Sequence, residues 1–91
     1  MNINKTEILK RICYTELVYE RINKKLHAKF SKLAIEEMLY GIIKETQEGF
    51  FQRIGKNIYI ANHEKNMKIT VNSNTCRIIT IDKINKTNKV K

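Results

Sequence analysis

The first half of the chain repeats its apolar residues at helical spacing. In NKTEILKRICYTELVYERINKKL, the residues Ile8, Leu9, Ile12 and Cys13 lead on to Leu17, Val18, Ile22 and Leu26, one stripe recurring every three or four positions. Asn4 stands where an N-cap belongs, and Glu7 completes the capping-box spacing. The polar side carries Glu16 with Glu20, and Lys24 with Lys25. Tyr14 and Thr15 interrupt the run, and the sequence leaves open whether the helix breaks there. A second helical unit follows in AKFSKLAIEEMLYGIIKET. Ser31 is its expected N-cap, Phe30 and Ile35 have hydrophobic-staple spacing, and Ile35, Met38, Leu39, Ile42 and Ile43 form the apolar stripe. Gly41 inside this run costs about 1 kcal/mol against alanine; either it is tolerated or it permits close helix packing. The helix is expected to end near Thr46.

After Gly49 the period changes from 3.6 to 2. FFQRI, NIYIAN, MKITVNS and CRIITIDK read as four strands, joined by turns at GKN, HEKN and SNT. Gly55 supplies the positive φ of the first turn. Links this short make neighbouring strands antiparallel. Alternation puts Ile58, Ile60, Ile69, Val71, Ile79 and Ile81 on one face, and Tyr59, Ala61, Lys68, Thr70, Ile78 and Thr80 on the other. Arg77 shares the phase of Ile79 at the strand start. Ile78 makes the last strand apolar on both sides, which fits a covered face, a homodimer or an added layer from the N-terminal helix.

Together these elements predict an α+β domain: two N-terminal helical units, the first with a candidate kink, packed on a four-stranded antiparallel β-meander. Residues 1–83 form that single domain, and residues 84–91 a basic, solvated tail.

Composition then limits what the domain can do. The chain has 91 residues, and a chain of this size buries only about 60–65% of its unfolded surface, so a shallow site or an interface suits it better than a deep cavity. The net charge is +9. Residues 1–45 hold nine basic against six acidic side chains, a balance of +3, and residues 46–91 hold nine against three, a balance of +6. Part of the lysine count matches the bias of an AT-rich genome; the rest favours phosphates or acidic surfaces as partners. Cys13 and Cys76 have no metal-ligand spacing. Cys13, among apolar helix positions, is expected to be a buried free thiol, with a single disulfide left open. The N-terminus has no signal-peptide pattern and no segment reaches the length of a membrane span, so the expected setting is a reduced cytoplasm, with no membrane association.

No cofactor and no metal are expected: His27 and His63 fall in separate loops without a ligand pattern. A nucleophile elbow and a Walker loop are also missing. Metal-independent RNA cleavage asks for a base, an acid and a cation at the phosphorane. The candidate catalytic residues for that chemistry are His63, Arg77 and Thr80, with Glu64 as a further base. Binding asks for less. Arg53, Lys56, Tyr59, Lys65, Lys68 and Arg77 are the candidate nucleic-acid-binding set, with Tyr59 able to stack a base between cations.

The blocks ICYTELVYERINKKL, GKNIYIAN and ITVNSNTCRIITIDK resemble the signature of a small bacterial domain-of-unknown-function family, over nearly the whole chain up to Lys83. That resemblance implies a bacterial, intracellular, self-contained domain and carries no catalytic residue with it. Helices followed by a four-stranded meander are also similar in architecture to small ribonuclease toxins of the barnase and RelE kind. That likeness implies a phosphate site at Arg53, Lys56, His63, Lys68, Arg77 and Thr80. The favoured expectation is nucleic-acid binding through the sheet half, RNA above DNA. The alternatives are a protein-interaction or antidote module, acting as a homodimer or on a protein partner, and a metal-independent ribonuclease.

Overall fold

Both periodicities become elements in the computed structural model, which describes residues 4–84. The helices are α1 (Lys5–Arg11), α2 (Glu16–Leu26) and α3 (Lys32–Glu45). A 3-10 turn (Glu48–Phe50) leads into β1 (Phe51–Ile54), β2 (Asn57–Asn62), β3 (Met67–Asn72) and β4 (Ile78–Lys83). The strands form one antiparallel sheet in the order β1-β2-β3-β4. The expected fold is therefore the observed one, with α1 and α2 as the two parts of the first helical unit. Of the expected basic tail, the part from residue 85 onward lies outside the described residues.

Helix boundaries follow from local hydrogen bonding. The Asn4 side chain accepts from the Glu7 amide at 3.0 Å, and Ser31 accepts from Ala34 at 3.1 Å, each satisfying an amide that the helix leaves without a carbonyl. Lys5 donates to the Lys44 and Thr46 carbonyls at 2.8 and 2.6 Å. The first turn of α1 thus places a cation at the negative end of α3. α2 stops without a glycine. His27 takes φ 53° instead, and the Ala28 amide reaches back to the Asn23 carbonyl at 2.9 Å, a left-handed C-terminal cap. That placement accounts for His27 without a ligand role. Asn23 then clasps the backbone of Phe30, accepting from its amide and donating to its carbonyl.

The first helical unit is broken, and tertiary pairing explains why. Cys13 leaves the helix to form a parallel β-bridge with Arg77. Its amide donates to the Cys76 carbonyl at 3.1 Å, and its carbonyl accepts from the Ile78 amide at 2.9 Å. Two polar groups on the outer edge of β4 are thereby satisfied by a segment more than sixty positions earlier. Cys13 is consequently exposed rather than buried, while Cys76 is buried, and neither forms a disulfide. The buried Cys13 expected from helical spacing is corrected on this ground: the residue serves the sheet edge, not the helix stripe.

The sheet buries one face. Ile58, Ile60, Ile69, Val71, Ile78 and Ile81 join Val18, Ile22, Ile35, Leu39, Ile42 and Ile43 in the core. Here the expected phase of β4 is half right. Ile81 pairs with Ile69, but a bulge after Thr70 makes Val71 pair with Ile78. Ile78 is therefore in the core at 1% exposure, and Ile79 is the half-buried extra residue. A bulge inserts one residue and resets the alternation, so strict period-2 counting places Ile78 and Ile79 on the wrong faces. Cys76, at φ 60° just before the strand, and the Asn72 side chain accepting from the Asn74 and Thr75 amides shape the connection that delivers the bulge.

At the other end of the sheet, Asn62 is buried and donates to the Thr46 hydroxyl at 3.0 Å, while Thr46 donates to the Ile42 carbonyl at 2.6 Å. The Asn62 carbonyl oxygen accepts from the Lys65 amide at 2.9 Å. One side chain therefore closes both the end of α3 and the β2–β3 turn.

Candidate nucleic-acid interface

The second face of the sheet exposes Gln52, leaves Tyr59, Lys68 and Thr80 half-buried, and buries Thr70. Its central row runs Gln52, Tyr59, Thr70, Thr80 across the four strands, and the next row runs Ala61, Lys68, Asp82. The Lys68 ammonium lies 5.5 Å from the centre of the Tyr59 ring, close enough for the ring face to attract the cation. Asn57 reaches the Tyr59 hydroxyl at 3.4 Å. The ring thus has neighbours from its own strand and from β3.

Along the β4 margin this face meets a wall. α2 presents Leu17, Glu20, Arg21, Lys24 and Lys25, which share one helical side, and with Thr80 they line a concavity of about 680 Å³. A smaller hollow of about 170 Å³ continues it past Leu17 and Arg21 to Arg77. Arg21 donates to the Ile79 carbonyl at 3.2 Å, and Lys25 pairs with Asp82. These contacts fix the wall against β4 without using up the guanidinium, which has five N–H donors. Lys24 and Arg77 make no ion pair among the described residues. The margin therefore gathers Arg21, Lys24, Lys25 and Arg77 beside Lys68, against the carboxylates of Glu20 and Asp82.

The residues singled out from sequence divide into three places. Tyr59, Lys68 and Thr80 lie together on the open face, and Arg77 lies at the end of the adjoining wall. Arg53 and Lys56 belong to β1 and its turn, away from the wall, Arg53 donating to the Gly55 carbonyl at 3.4 Å. His63 and Lys65 belong to the β2–β3 turn, where His63 packs edge-on against Phe50 at 5.4 Å and Lys65 faces Glu45 at 3.7 Å. His63 and Arg77 are at opposite ends of the sheet. The rows that flank them, Asn62–Met67 and Val71–Ile78, are four steps apart along β3, about 14 Å, and each residue lies outside its row. The base and the cation required for RNA cleavage are not brought together. Among the described residues no cluster of histidine, cysteine, aspartate and glutamate is placed to hold a metal ion, and no described helix is long and apolar enough to cross a membrane.

Arg21, Lys24, Lys25 and Leu17 are the site residues that strand-based reasoning missed. Their signal was present as a stripe at positions 17, 20, 21, 24 and 25, one side of a helix. What that side faces is a strand some 57 positions later, and no local pattern encodes that.

Perturbed acidities lie elsewhere, at Tyr14 and Tyr19 near Glu36 of α3 and at Cys76 before β4. Tyr14 stacks on Tyr19 at 5.6 Å, and Tyr19 donates to Glu36 at 2.6 Å. Burial followed by the Glu36 hydrogen bond and charge raises the Tyr19 hydroxyl to about 12. Burial also raises Tyr14, helped by the charge of Glu36. Burial pushes the Cys76 thiol up, with the nearby Arg11 working against it. These shifts mark groups that stay protonated and pack, not groups poised for acid–base chemistry near neutrality.

No curated protein and no solved structure matches the chain at a significant level. The family comparison is positive and spans most of the fold, from the second residue of α1 to the penultimate residue of β4. The chain belongs to the family described as a protein of unknown function (DUF3781), whose model matches residues 6–82.

Proposed function

We propose that this domain binds single-stranded RNA along the open sheet face and the basic wall of α2. The observation that carries it is the step between β4 and α2. Thr80 lines its base, Arg21, Lys24 and Lys25 form its side, and Arg77 extends it. A phosphate backbone tracks such a margin, while a base stacks near Tyr59 on the flat beside it. Phosphate contacts then supply affinity with little sequence preference.

Titrating labelled single-stranded RNA at rising salt tests the proposal. With Arg21, Lys24, Lys68 and Arg77 each neutralising one phosphate, log K against log salt falls with a slope of about −3. Absence of binding at low salt, or its complete loss when residues 84–91 are deleted, would sink the sheet-face site. A slope near zero would point to a protein ligand instead.

A further inference from the structure

α3 turns Ile35, Leu39, Ile42 and Ile43 into the core. Its opposite side carries Leu33, Glu36, Glu37, Tyr40, Gly41 and Lys44 around a shallow apolar hollow. Leu33, in the first turn of α3, is 64% exposed and Tyr40, in its middle, 44%, so this side shows apolar groups with no cover among the described residues. Gly41 sits beside Tyr40 in the helix interior, where glycine is normally disfavoured. A Cβ added there would meet nothing within 4 Å. Packing inside the domain therefore does not demand a glycine.

The same side is self-complementary. A two-fold axis passing between Tyr40 and Gly41 runs α3 antiparallel to a second α3. It sets Glu37 opposite the partner's Lys44, and Tyr40 opposite the partner's Gly41. Each contact then occurs twice, as an isologous interface requires. The glycine lets the facing ring approach the helix backbone, and each end of the contact gains one opposite-charge pair. Glu36 stays out of the pairing because it holds the Tyr19 hydroxyl.

We infer that a second copy of this chain docks on the outer side of α3 as an antiparallel helix pair centred between Tyr40 and Gly41. A contact one helix long falls at the small end of the interface scale, so association in the micromolar range or weaker is expected. The face lies across the core from the open sheet face, and its occupancy does not depend on RNA binding.

Sedimentation equilibrium of the full chain, from micromolar to millimolar concentration, tests this. Glu37→Lys alone sets two lysines against each other at both ends of the pair, and Lys44→Glu alone does the same with two glutamates. Each change is expected to weaken self-association about tenfold or more. Mixing the two variants recreates both opposite-charge pairs, and association is expected to return to the wild-type level. Circular dichroism checks that both variants stay folded. A monomer at every concentration, dimerisation indifferent to either reversal, or a mixture that fails to recover would each overturn the pairing. Unchanged RNA affinity in both variants separates this outcome from the fate of the sheet-face site.

Discussion

The open sheet face and the outer side of α3 look away from the same core, and they are finished differently. The sheet face is polar at its centre, with Thr70 and Thr80 paired across β3 and β4, and its cations stand along one margin. The helix side exposes Tyr40 at its centre and Leu33 in its first turn, and its charges are of both signs. A surface with cations gathered along one margin suits a charged, hydrated chain. A surface with a greasy middle and balanced charges suits a copy of itself. The two faces thus take different partners while depending on one set of buried isoleucines.

That dependence predicts the largest effect. Ile60 is fully buried between the two faces, and Ile60→Ala is expected to cost about 2–5 kcal/mol in urea unfolding. Both surfaces would be lost together; retention of either by the variant would show that the faces are supported separately. Next comes the buried polar link at one end of the sheet. Asn62→Ala strands the Lys65 amide and removes a partner of Thr46, with an expected loss of about 1–3 kcal/mol. The damage should appear by hydrogen exchange at the end of α3 and in the β2–β3 turn, and spare the α2 wall.

A change confined to the wall separates the faces. Combining Arg21→Glu with Lys24→Glu should weaken RNA binding and flatten the salt slope by roughly 1.4 if each cation meets one phosphate, with self-association unaltered. A slope that stays the same would place the phosphates elsewhere. Gly41→Ala acts on the other side, and with opposite signs on two readouts. Stability should rise by about 1 kcal/mol because alanine is the better helix former and its Cβ meets nothing within 4 Å among the described residues. Self-association should weaken because that Cβ meets the partner's ring.

The smallest effect is a pH dependence seen at the alkaline end. The Tyr19 hydroxyl is raised to about 12 by burial and Glu36, so the folded state holds this proton more tightly than the unfolded chain. Its contribution is fully present below about pH 10, and drains away as pH rises toward 12. Tyr19→Phe should flatten that part of the stability profile; an unchanged profile would assign the alkaline loss to other groups.

What could be read without coordinates was whatever depends on neighbours in sequence. Asn4 and Ser31 were visible as caps because their partners are three residues away. The strands were visible because alternation is local. The break before Thr15 and the reversal of Ile78 and Ile79 share another origin. Cys13 leaves its helix to satisfy the edge of β4, and the bulge lets β4 fit β3 while receiving that edge partner. Neither is a propensity of the segment in which it occurs. The wall of α2 was legible as a polar stripe, but its role came only with the strand beside it. Lys65 shows the converse: its charge was plain in the sequence, but Glu45 as its neighbour at 3.7 Å came only with the fold.

The pairing of Cys13 with the start of β4 also bears on the order in which the domain is made. A nascent chain emerges N-terminus first, and its segments fold as their partners become available. The residues around Cys13 leave the ribosome long before Arg77, so until then they lack the strand that breaks their helix. A longer, continuous helix through Cys13 is free to form in that interval, favoured by the stripe from Ile8 to Ile22. The pairing of Cys13 with the Cys76 carbonyl and the Ile78 amide can therefore close only after the last strand is available.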